Sequence, residues 1–403
     1  MGAAVLVCYG TPYRIGRMHG EGARASVRHN VLSFWRALAA AGYRKDTVLG
    51  LAREQCEDQA RLLGGRFQEE VAGIADGAGI PYEDVLAYNL YRDVVAPEEC
   101  TVLMAVGSAS ATGDTVFAKN SDKVGGESLV GPNFYKYKEI NVILWAERED
   151  GLKIVGVCAA GSTGLKMGMN NRGLVAGCNI ARTEEMYQKN LDLTQIRAID
   201  RAYLLRLGLE QENVLEATRV VAGHIMESPM ATPGNIEFAD ARQAYIIEGS
   251  YDRLAVKKVV DDVDSRSNCF VVLKELNKKD DLSSICRYIR TQELLAAKKG
   301  RVTMQDMVEF SMDHANGPGP NSICRHGTDF HEEVSLSAMV MELNGKEPEK
   351  SRFGICLGKP CHAWRDPAGH VFGDLTMRRE DIPAGFFDGE VFKKFYQEEP
   401  RFA

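Results

Sequence analysis

The sequence predicts an α+β protein whose helices cover the outer faces of antiparallel sheets. Residues 1–99 read as one strand followed by helical stretches, whereas the chain after residue 99 contains short β-rich runs separated by Gly, Asp and Asn. The elements follow the order helices, strands, helices, strands, helices, strands. This order differs from the regular alternation of a parallel βαβ fold, and it favours a layered arrangement.

The first half of the chain changes character at Cys100. Before it, GEGARASVRHNVLSFWRALAAAG and DTVLGLAREQCEDQARLLG carry apolar residues at helical spacing, and a further helix is predicted after Pro81. The predicted strands after it are CTVLMAVG, DTVFAKN, INVILWAE, LKIVGVCAAG and GLVAGCNIAR.

In the second half, helices and strands come in groups. The predicted helices cover 194–209, 213–223, 283–298 and 303–312. Between the two pairs we expect a hairpin with its tip at Asp240–Ala241, and VSLSAMVMEL and RFGICLGKP complete the sheets. The polar and aromatic tail from about residue 375 is predicted to pack as an arm on the surface.

Composition narrows the functional classes. The chain has 403 residues and a net charge of −7, which argues against a nucleic-acid surface because such a surface needs a basic field. No run of about 18 apolar residues occurs, and no basic region precedes the apolar start. No Gly-rich phosphate loop follows a predicted strand. These features predict a cytoplasmic globular protein without nucleic-acid or membrane partners, and they argue against a nucleotide enzyme.

The ten cysteines are predicted to be buried and unpaired. Several lie inside apolar runs, no C-x-x-C pair occurs, and a domain of this size needs no disulfides. Cys356, Cys361 and His362 lie close in sequence, with His326 and His331 upstream, but their spacing matches no common zinc pattern. We therefore predict no metal site.

Cys100 opens the first β-rich run and is a candidate nucleophile. A nucleophilic thiol needs a base or a lowered pKa, and none of the eight histidines lies in a papain-like motif. Cleavage of the Glu99–Cys100 bond would place a free α-amine, with an ordinary pKa of about 8, beside the sulfur as a base. Asp122, which shares one side of the next strand with Asn120, would orient that amine. The alternative is a packing cysteine followed by a polar Asn-Ser-Asp turn.

Seven sequence pieces resemble the acyl-coenzyme A:6-aminopenicillanic acid acyltransferase family of N-terminal nucleophile hydrolases. They occur in the same order as in the family and extend over most of the chain. They are GTPYRIGRMHGEGA, EEVAGIADGAGIPYEDVLAYNLYRDV, Cys100–Thr101 with Asn120–Asp122, GMNNRGLVAGCNIAR, SRSNCFV, SSICRYIRTQELL, and NSICRH with SLSAMVMEL and GICLGKPC. The resemblance implies a four-layer αββα sandwich preceded by a mostly helical segment. It also implies a precursor cut at Glu99–Cys100 into an α segment, 1–99, and a catalytic β segment, 100–403.

The resemblance also implies roles for single residues. Cys100 would be the autoprocessing residue and the catalytic nucleophile, Asp122 would lie at its amino group, and Asn268 would help to form the oxyanion hole. The implied substrate-binding residues are Lys119, Asn120, Asn179, Arg290, Ser322 and Arg325. Arg290 would lie near the nucleophile, with Arg287 as its neighbour in an R-x-x-R pair. The structural alternatives are a solvated helix face for these two arginines, a turn cap for Asn268, and a packing role for Ser322 and Arg325.

Two features depart from the family pattern. Glu99 stands where glycine often precedes the nucleophile, and Ser265-Arg266-Ser267-Asn268 stands in place of Thr-His-Thr-Asn. Glu99 would either slow processing or help to position the scissile bond. The substrate is therefore not carried over from the family.

The combined prediction is a self-processing cysteine enzyme that cleaves or transfers the acyl group of a small-molecule linear amide or thioester through a Cys100 thioester. We predict no cofactor, with coenzyme A as an alternative acyl donor. The predicted partners are the small-molecule substrate and the two chains of the cut precursor, with a homo-oligomer left open. Three alternatives remain: an acyl-CoA-dependent N-acyltransferase, a C69-like dipeptidase and an unprocessed, non-catalytic binding relative. The piece FAKNSDK is similar to the pattern of the dipeptidases, and Glu99 motivates the binding relative. A redox-sensor role is a weaker option, since no cysteine spacing supports it.

Overall fold

The computed structural model describes residues 5–95, 98–124, 139–188, 192–196, 199–228, 230–327 and 333–382. His331 and the end of the tail, from 383, lie outside the described residues. The strands are β1 (Val5–Gly10), β2 (Glu98–Ala105), β3 (Val116–Val124), β4 (Asn141–Arg148), β5 (Lys153–Ala159), β6 (Met167–Asn170), β7 (Val175–Ile180), β8 (Gly234–Ala239), β9 (Gln243–Gly249), β10 (Leu254–Val260), β11 (Val263–Arg266), β12 (Glu333–Glu342), β13 (Arg352–Leu357) and β14 (His370–Asp374). The helices are α1 (Pro12–Gly22), α2 (Arg24–Ala40), α3 (Lys45–Asp58), α4 (Ala60–Ala78), α5 (Tyr82–Val95), α6 (Glu184–Gln188), α7 (Arg201–Leu209), α8 (Val214–Glu227), α9 (Leu282–Lys298), α10 (Met304–Ser311) and α11 (Pro360–Ala363).

The strands form two sheets. Sheet 1 has eight strands in the order β1-β4-β5-β6-β7-β8-β9-β10, and sheet 2 has six in the order β11-β2-β3-β12-β13-β14. The β1–β4 pair is parallel, and the other described pairs are antiparallel. The sheets pack face to face, with the rings of Trp145 and Phe353 6.4 Å apart.

Helices cover both outer faces. On sheet 1, α7 and α8 pack against strands β6 to β10, while α9 and α10 pack against β11, β2, β3 and β12 of sheet 2. The layer order is therefore helix, sheet, sheet, helix, which confirms the four-layer αββα prediction. Among the described residues, no helix combines the length and apolarity that a membrane crossing requires.

The N-terminal segment is mostly helical, as predicted, and is built into the core. Helices α1 and α4 approach so closely that a Cβ atom added at Gly16 or Gly20 of α1 would collide with the backbone of α4, and one added at Gly73 would collide with that of α1. These glycines explain the Gly-rich spacing of the two pieces. Buried His19 accepts a hydrogen bond from the Gly161 N–H (3.0 Å), which ties α1 to the loop after β5.

The predicted helices and the Asp240–Ala241 hairpin are confirmed, with two boundaries corrected. The helix predicted over DTVLGLAREQCEDQARLLG ends at Asp58, and its last residues begin α4. The helix expected from 194 begins at Arg201, because Asp200 caps it there by accepting a hydrogen bond from the Ala202 N–H at 2.6 Å. The boundary predicted at 99/100 lies inside β2, which runs continuously from Glu98. It is a predicted cleavage position within a shared core.

Candidate active site

The register of β2 with β3 arranges the residues around Cys100. Cys100 lies opposite Ser121, and Glu99 lies opposite Asp122. Because side chains alternate along a strand, Cys100 and Ser121 share one face while Glu99 and Asp122 share the other. The chain thus places the predicted nucleophile and the residue before it on opposite faces of sheet 2.

The face that carries Cys100 points toward sheet 1. Lys119, two residues along β3 from Ser121, lies on the same face, and its aliphatic stem is 3.5 Å from where a Gly177 side chain would begin. Its ammonium donates to the Lys166 carbonyl at 2.7 Å. Burial raises the pKa of the Cys100 thiol to about 12, and the Lys119 cation opposes this shift. In the intact chain the thiol is therefore protonated and needs a base.

Asn268 and Arg287 hold the backbone of Cys100. The Cys100 N–H donates to Asn268 Oδ1 at 3.3 Å, and Arg287 donates to the Cys100 carbonyl at 2.8 Å and to Asn268 Oδ1 at 2.7 Å. Both partners of Oδ1 can only donate, so they fix the orientation of the amide. Asn268 Nδ2 donates to the Ile180 carbonyl at 2.9 Å, which leaves its second hydrogen available. Burial and the Arg325 cation lower the pKa of Arg287 to about 9.

Glu99 is held on the opposite face by two arginines. Arg325 donates to its carboxylate at 2.6 Å, and Arg182 forms a second ion pair with it. Both arginines also pair with Glu333, the first residue of β12. Glu99 is only 3% exposed, so its charge is stabilised inside the protein by these partners. This arrangement supports the second of the two expectations for Glu99, that it positions the scissile bond.

Asp122 lies beside this cluster at a bulge in β12. The register between β3 and β12 shifts between Ser335 and Ser337, and Ser335 donates to Asp122 Oδ1 at 2.5 Å. Asp122 Oδ2 is 3.7 Å from Arg325 and has no hydrogen-bond donor among the described residues. Burial raises the pKa of Asp122, and Arg325 opposes that shift.

The other predicted binding residues are divided by the structure. Asn120 donates at 2.9 Å to the carbonyls of both Ser311 and Ile323, so it fastens the sheet to the loops below α10. Ser322 donates to the Gly317 carbonyl within that loop. Arg290 pairs with Asp313 at 2.8 Å, and its side chain is 28% exposed. It is therefore Arg287, and not Arg290 as expected, that reaches Cys100.

Sheet 1 presents unpaired acceptors toward the same interior. Asn179 donates to the Ser267 carbonyl, next to Asn268, but its Oδ1 has no partner among the described residues. Asn235, its cross-strand neighbour, likewise has an unpaired Oδ1, and both carboxyl oxygens of Glu237 are unpaired within the described part of the chain. Burial raises the pKa of Glu237 to about 8, which favours the neutral acid at neutral pH. These groups could accept hydrogen bonds from a bound donor.

Sequence reasoning missed a buried ionic network beside Cys100. Glu98 pairs with Lys166, which also pairs with Glu139, and Glu139 binds Arg92 at 3.1 Å and Lys123 at 3.0 Å. All five side chains are at most 7% exposed. The available signal was a charged residue inside an otherwise apolar piece, such as Lys166 in GLKMGMN.

These features define the class of the protein. It has an αββα enzyme core with a candidate nucleophile near the start of β2 in sheet 2, as in N-terminal nucleophile hydrolases. A sequence model of the acyl-coenzyme A:6-aminopenicillanic acid acyl-transferase family matches residues 110–358, more than half of the chain. The chain belongs to this family, which confirms the predicted enzyme class acting on acyl and amide groups. The matched region begins after Cys100.

Two curated relatives are similar to the chain. The acyl-coenzyme A:6-aminopenicillanic-acid-acyltransferase 40 kDa form of Emericella nidulans is 26% identical over 339 residues, covering 79% of this chain and 84% of the relative. An uncharacterized protein of Archaeoglobus fulgidus is 26% identical over 189 residues, covering 42% of this chain. The match spans about a third, 32%, of that relative's own length.

Solved structures show more distant likenesses. The penicillin V acylase of Agrobacterium tumefaciens has a TM-score of 0.41 at 12% identity, covering 71% of this chain and 89% of that one. The N-acylethanolamine-hydrolyzing acid amidase ortholog of Caenorhabditis elegans has a TM-score of 0.40 at 16% identity, covering 60% and 92%. The sheet order and the layers of the chain itself define its fold.

Proposed function

We propose that the protein is a self-processing amidase or acyltransferase that forms a thioester on Cys100. The observation that carries the proposal is that polar side chains hold both residues of the Glu99–Cys100 bond. Asn268 and Arg287 hold the backbone of Cys100, while Arg182 and Arg325 hold the side chain of Glu99. Asn268 binds the N–H of the Glu99–Cys100 bond, and the three arginines bind the residues on either side of it, which is more than a purely structural cysteine would need.

Self-processing would begin with attack of Cys100 Sγ on the Glu99 carbonyl carbon. The peptide C–N bond breaks, the Glu99 acyl group moves to sulfur as a thioester, and the Cys100 nitrogen takes a proton and becomes an amine. Water then hydrolyses the thioester, which leaves a Glu99 carboxylate and the free thiol. The two products are the predicted segments 1–99 and 100–403.

In the mature enzyme, the new amine would serve as the base that the buried thiol lacks. It takes the thiol proton as Sγ attacks the substrate carbonyl, and it returns the proton to the leaving amine. Asp122 Oδ2, which lacks a hydrogen-bond donor in the described part of the chain, would accept from the ammonium. The second hydrogen of Asn268 Nδ2 would donate to the developing oxyanion, a contribution of about 3 kcal/mol in comparable sites.

The substrate would be a small linear amide or thioester with hydrogen-bond donors. The unpaired oxygens of Asn179, Asn235 and Glu237 support this, because they would accept from N–H or O–H groups. Lys119, beside the thiol, would lie against the acyl side of the substrate. Water as acceptor makes the reaction a hydrolysis, and an amine as acceptor makes it a transfer.

A second candidate is transfer from an acyl-coenzyme A donor. The family name and the Emericella relative both refer to acyl-coenzyme A, which favours a thioester as the acyl source. Incubation with an acyl-CoA would then acylate Cys100, and the mass of the segment 100–403 would rise by that of the acyl group. An amide donor that acylates the segment when acyl-CoA does not would favour the amidase.

The decisive experiment is intact mass spectrometry of the wild type beside Cys100→Ala and Cys100→Ser. We expect two wild-type fragments, one ending at Glu99 and one beginning at Cys100, and a single uncut Cys100→Ala chain. Cys100→Ser should be cut slowly, since a hydroxyl can make the same acyl shift. A wild type that stays whole after ageing and mild acid would remove the amine base and overturn the mechanism.

A further inference from the structure

A second group of reactive side chains lies away from Cys100. The side chains of His314, Cys324, His326 and Cys361 converge, and their ligand atoms all lie within 4.8 Å of one another. They come from three parts of the chain: the turn after α10, the loop before β12, and α11. The two cysteines are buried and the two histidines are half-buried.

Three distances from His326 Nε2 are close to those of a tetrahedral centre. For Zn–N bonds of about 2.05 Å and Zn–S bonds of about 2.3 Å, ligand atoms at tetrahedral corners are separated by about 3.3 Å for N to N and 3.6 Å for N to S. The two histidine Nε2 atoms are 3.1 Å apart. His326 Nε2 is 3.1 Å from Cys361 Sγ and 3.9 Å from Cys324 Sγ.

Hydrogen bonding alone does not account for this convergence. His326 Nε2 faces three other ligand atoms at once, namely one imidazole nitrogen and two sulfurs. An imidazole nitrogen carries either one hydrogen or one lone pair, so it makes one good hydrogen bond. A metal ion at the centre of the cluster would satisfy all four atoms together, because each of them can donate a lone pair to it.

We propose that His314, Cys324, His326 and Cys361 form a structural Zn²⁺ site. Two nitrogens and two sulfurs at tetrahedral distances favour zinc over harder cations, which prefer oxygen. Four protein ligands fill the coordination sphere, so the site is structural and not catalytic. The proposal does not depend on the proposed function of Cys100.

The zinc site would brace the active site through Arg325. This arginine stands between two of the ligands, Cys324 and His326, and its guanidinium binds Glu99. Ile323, the residue before Cys324, accepts a hydrogen bond from Asn120 of β3. Zinc would thus hold the loop whose residues fasten to both β2 and β3.

The spacing of the four ligands explains why no zinc-binding sequence motif indicates the site. The pattern is H-x9-C-x-H-x34-C, which combines a close pair with two distant residues. Common zinc motifs place ligands in two close pairs. The prediction of no metal site from sequence is therefore replaced by this proposal.

The test is metal analysis of the full-length protein, purified without chelator from zinc-containing medium. We expect about one zinc per chain in the wild type, and a loss of most of it in Cys361→Ser and in His314→Asn. Two matched controls should retain zinc: Cys286→Ser, which removes a cysteine outside the cluster, and His362→Asn, which removes the histidine next to Cys361 in sequence. Circular dichroism shows whether each variant folds.

Cobalt substitution tests the ligands without any mutation. Wild-type protein stripped of zinc and loaded with Co²⁺ should show thiolate-to-cobalt charge transfer and tetrahedral d–d absorption, and zinc should displace both. A wild type that contains no zinc and shows no such absorption with cobalt would overturn the proposal. A native disulfide between Cys324 and Cys361 in a peptide map of the fresh protein would overturn it as well.

Discussion

The chain surrounds its buried cysteines in two different ways. Around Cys100 the neighbours are an amide and cations: Asn268 and Arg287 bind its backbone, and Lys119 lies beside its sulfur. Around Cys324 and Cys361 the neighbours are two imidazoles, of which that of His326 lies closest. The first setting suits a thiol that takes its base from its own amino group, whereas the second suits a pair of metal-bound thiolates.

The comparison shows that the neighbours of a cysteine determine its use. Burial alone raises the pKa of a thiol, as it does for Cys100, and leaves it unreactive. A buried cysteine acts as a nucleophile only when a neighbouring group accepts its proton, and it acts as a metal ligand only when a metal ion accepts a lone pair of its sulfur. Four experiments test how these neighbours control each cysteine, and the largest expected effect comes first.

Removal of Arg287 should have the largest effect. Arg287→Met deletes a buried cation that holds both the Cys100 carbonyl and Asn268, so self-cleavage should slow by about 100-fold or more. Arg290→Met is the matched change one helical turn away and should slow it less than threefold. The measurement is the fraction of cut chain against time by intact mass. Equal rates for the two variants, with melting temperatures near the wild type, would contradict the placement of Arg287.

Neutralising Glu99 should have the next largest effect. Glu99→Gln weakens both arginine contacts, and charged hydrogen bonds of this kind contribute about 1.5–3 kcal/mol, so cleavage should slow by roughly tenfold or somewhat more. Glu99→Gly, which restores the residue common in the family, separates the two expectations for this position. A faster cut in Glu99→Gly would show that the acid hinders processing and that the arginines do not position the bond.

Lys119→Met should shift the pH dependence of the Cys100 thiol. Burial raises the pKa of that thiol and the Lys119 cation lowers it, so removal of Lys119 should raise the pKa further and reduce alkylation about tenfold at a fixed pH. The wild-type rate rises with pH because the thiolate is the reacting form. Iodoacetamide labelling read by peptide mass gives the profile. A profile that does not move would mean that Lys119 is screened from the sulfur.

The weakest expected effect links the two regions. Cys361→Ser should slow self-cleavage by only about threefold, because Arg325 keeps its bonds to Glu99, Ser283 and the Pro320 carbonyl when the loop loosens. In the wild type, a chelator should expose Cys324 and Cys361 to labelling while Cys100 labels at an unchanged rate. If chelation changes the labelling rate of Cys100 as strongly as that of Cys324, the active site and the zinc cluster do not behave as separate regions.

Much of the fold could be predicted because periodicity reports directly on burial. The patterns located most of the strands, though not β6, β11 or β14, and they located the helices α8, α9 and α10 within a few residues. The side of α9 that faces the sheet could not be predicted in the same way. Its buried stripe consists mainly of polar residues, Ser283, Ser284, Arg287 and Thr291, with Leu295 at the end, so an apolar pattern could not show that Arg287 faces the sheet.

Sequence patterns could place residues of neighbouring strands together, but they could not show contacts between distant segments. Asp122 lies opposite Glu99, the residue before Cys100, because β2 and β3 are neighbouring strands of sheet 2. Arg182 reaches Glu99 from the segment after β7, and the His–Cys cluster joins residues from 314 to 361. These meetings depend on the packing of loops, which local sequence patterns do not encode.

Strand β1 has a consequence for the fate of the cut chain. Its six residues pair with β4, and the helices that follow are packed into the same core. If the bond at Glu99 is cut, β1 belongs to the segment 1–99 while the other strands of sheet 1 belong to the segment 100–403. The two polypeptides should therefore purify as an obligate heterodimer and separate only on denaturation. Two genes that encode the pieces separately would then yield folded protein only when they are expressed together.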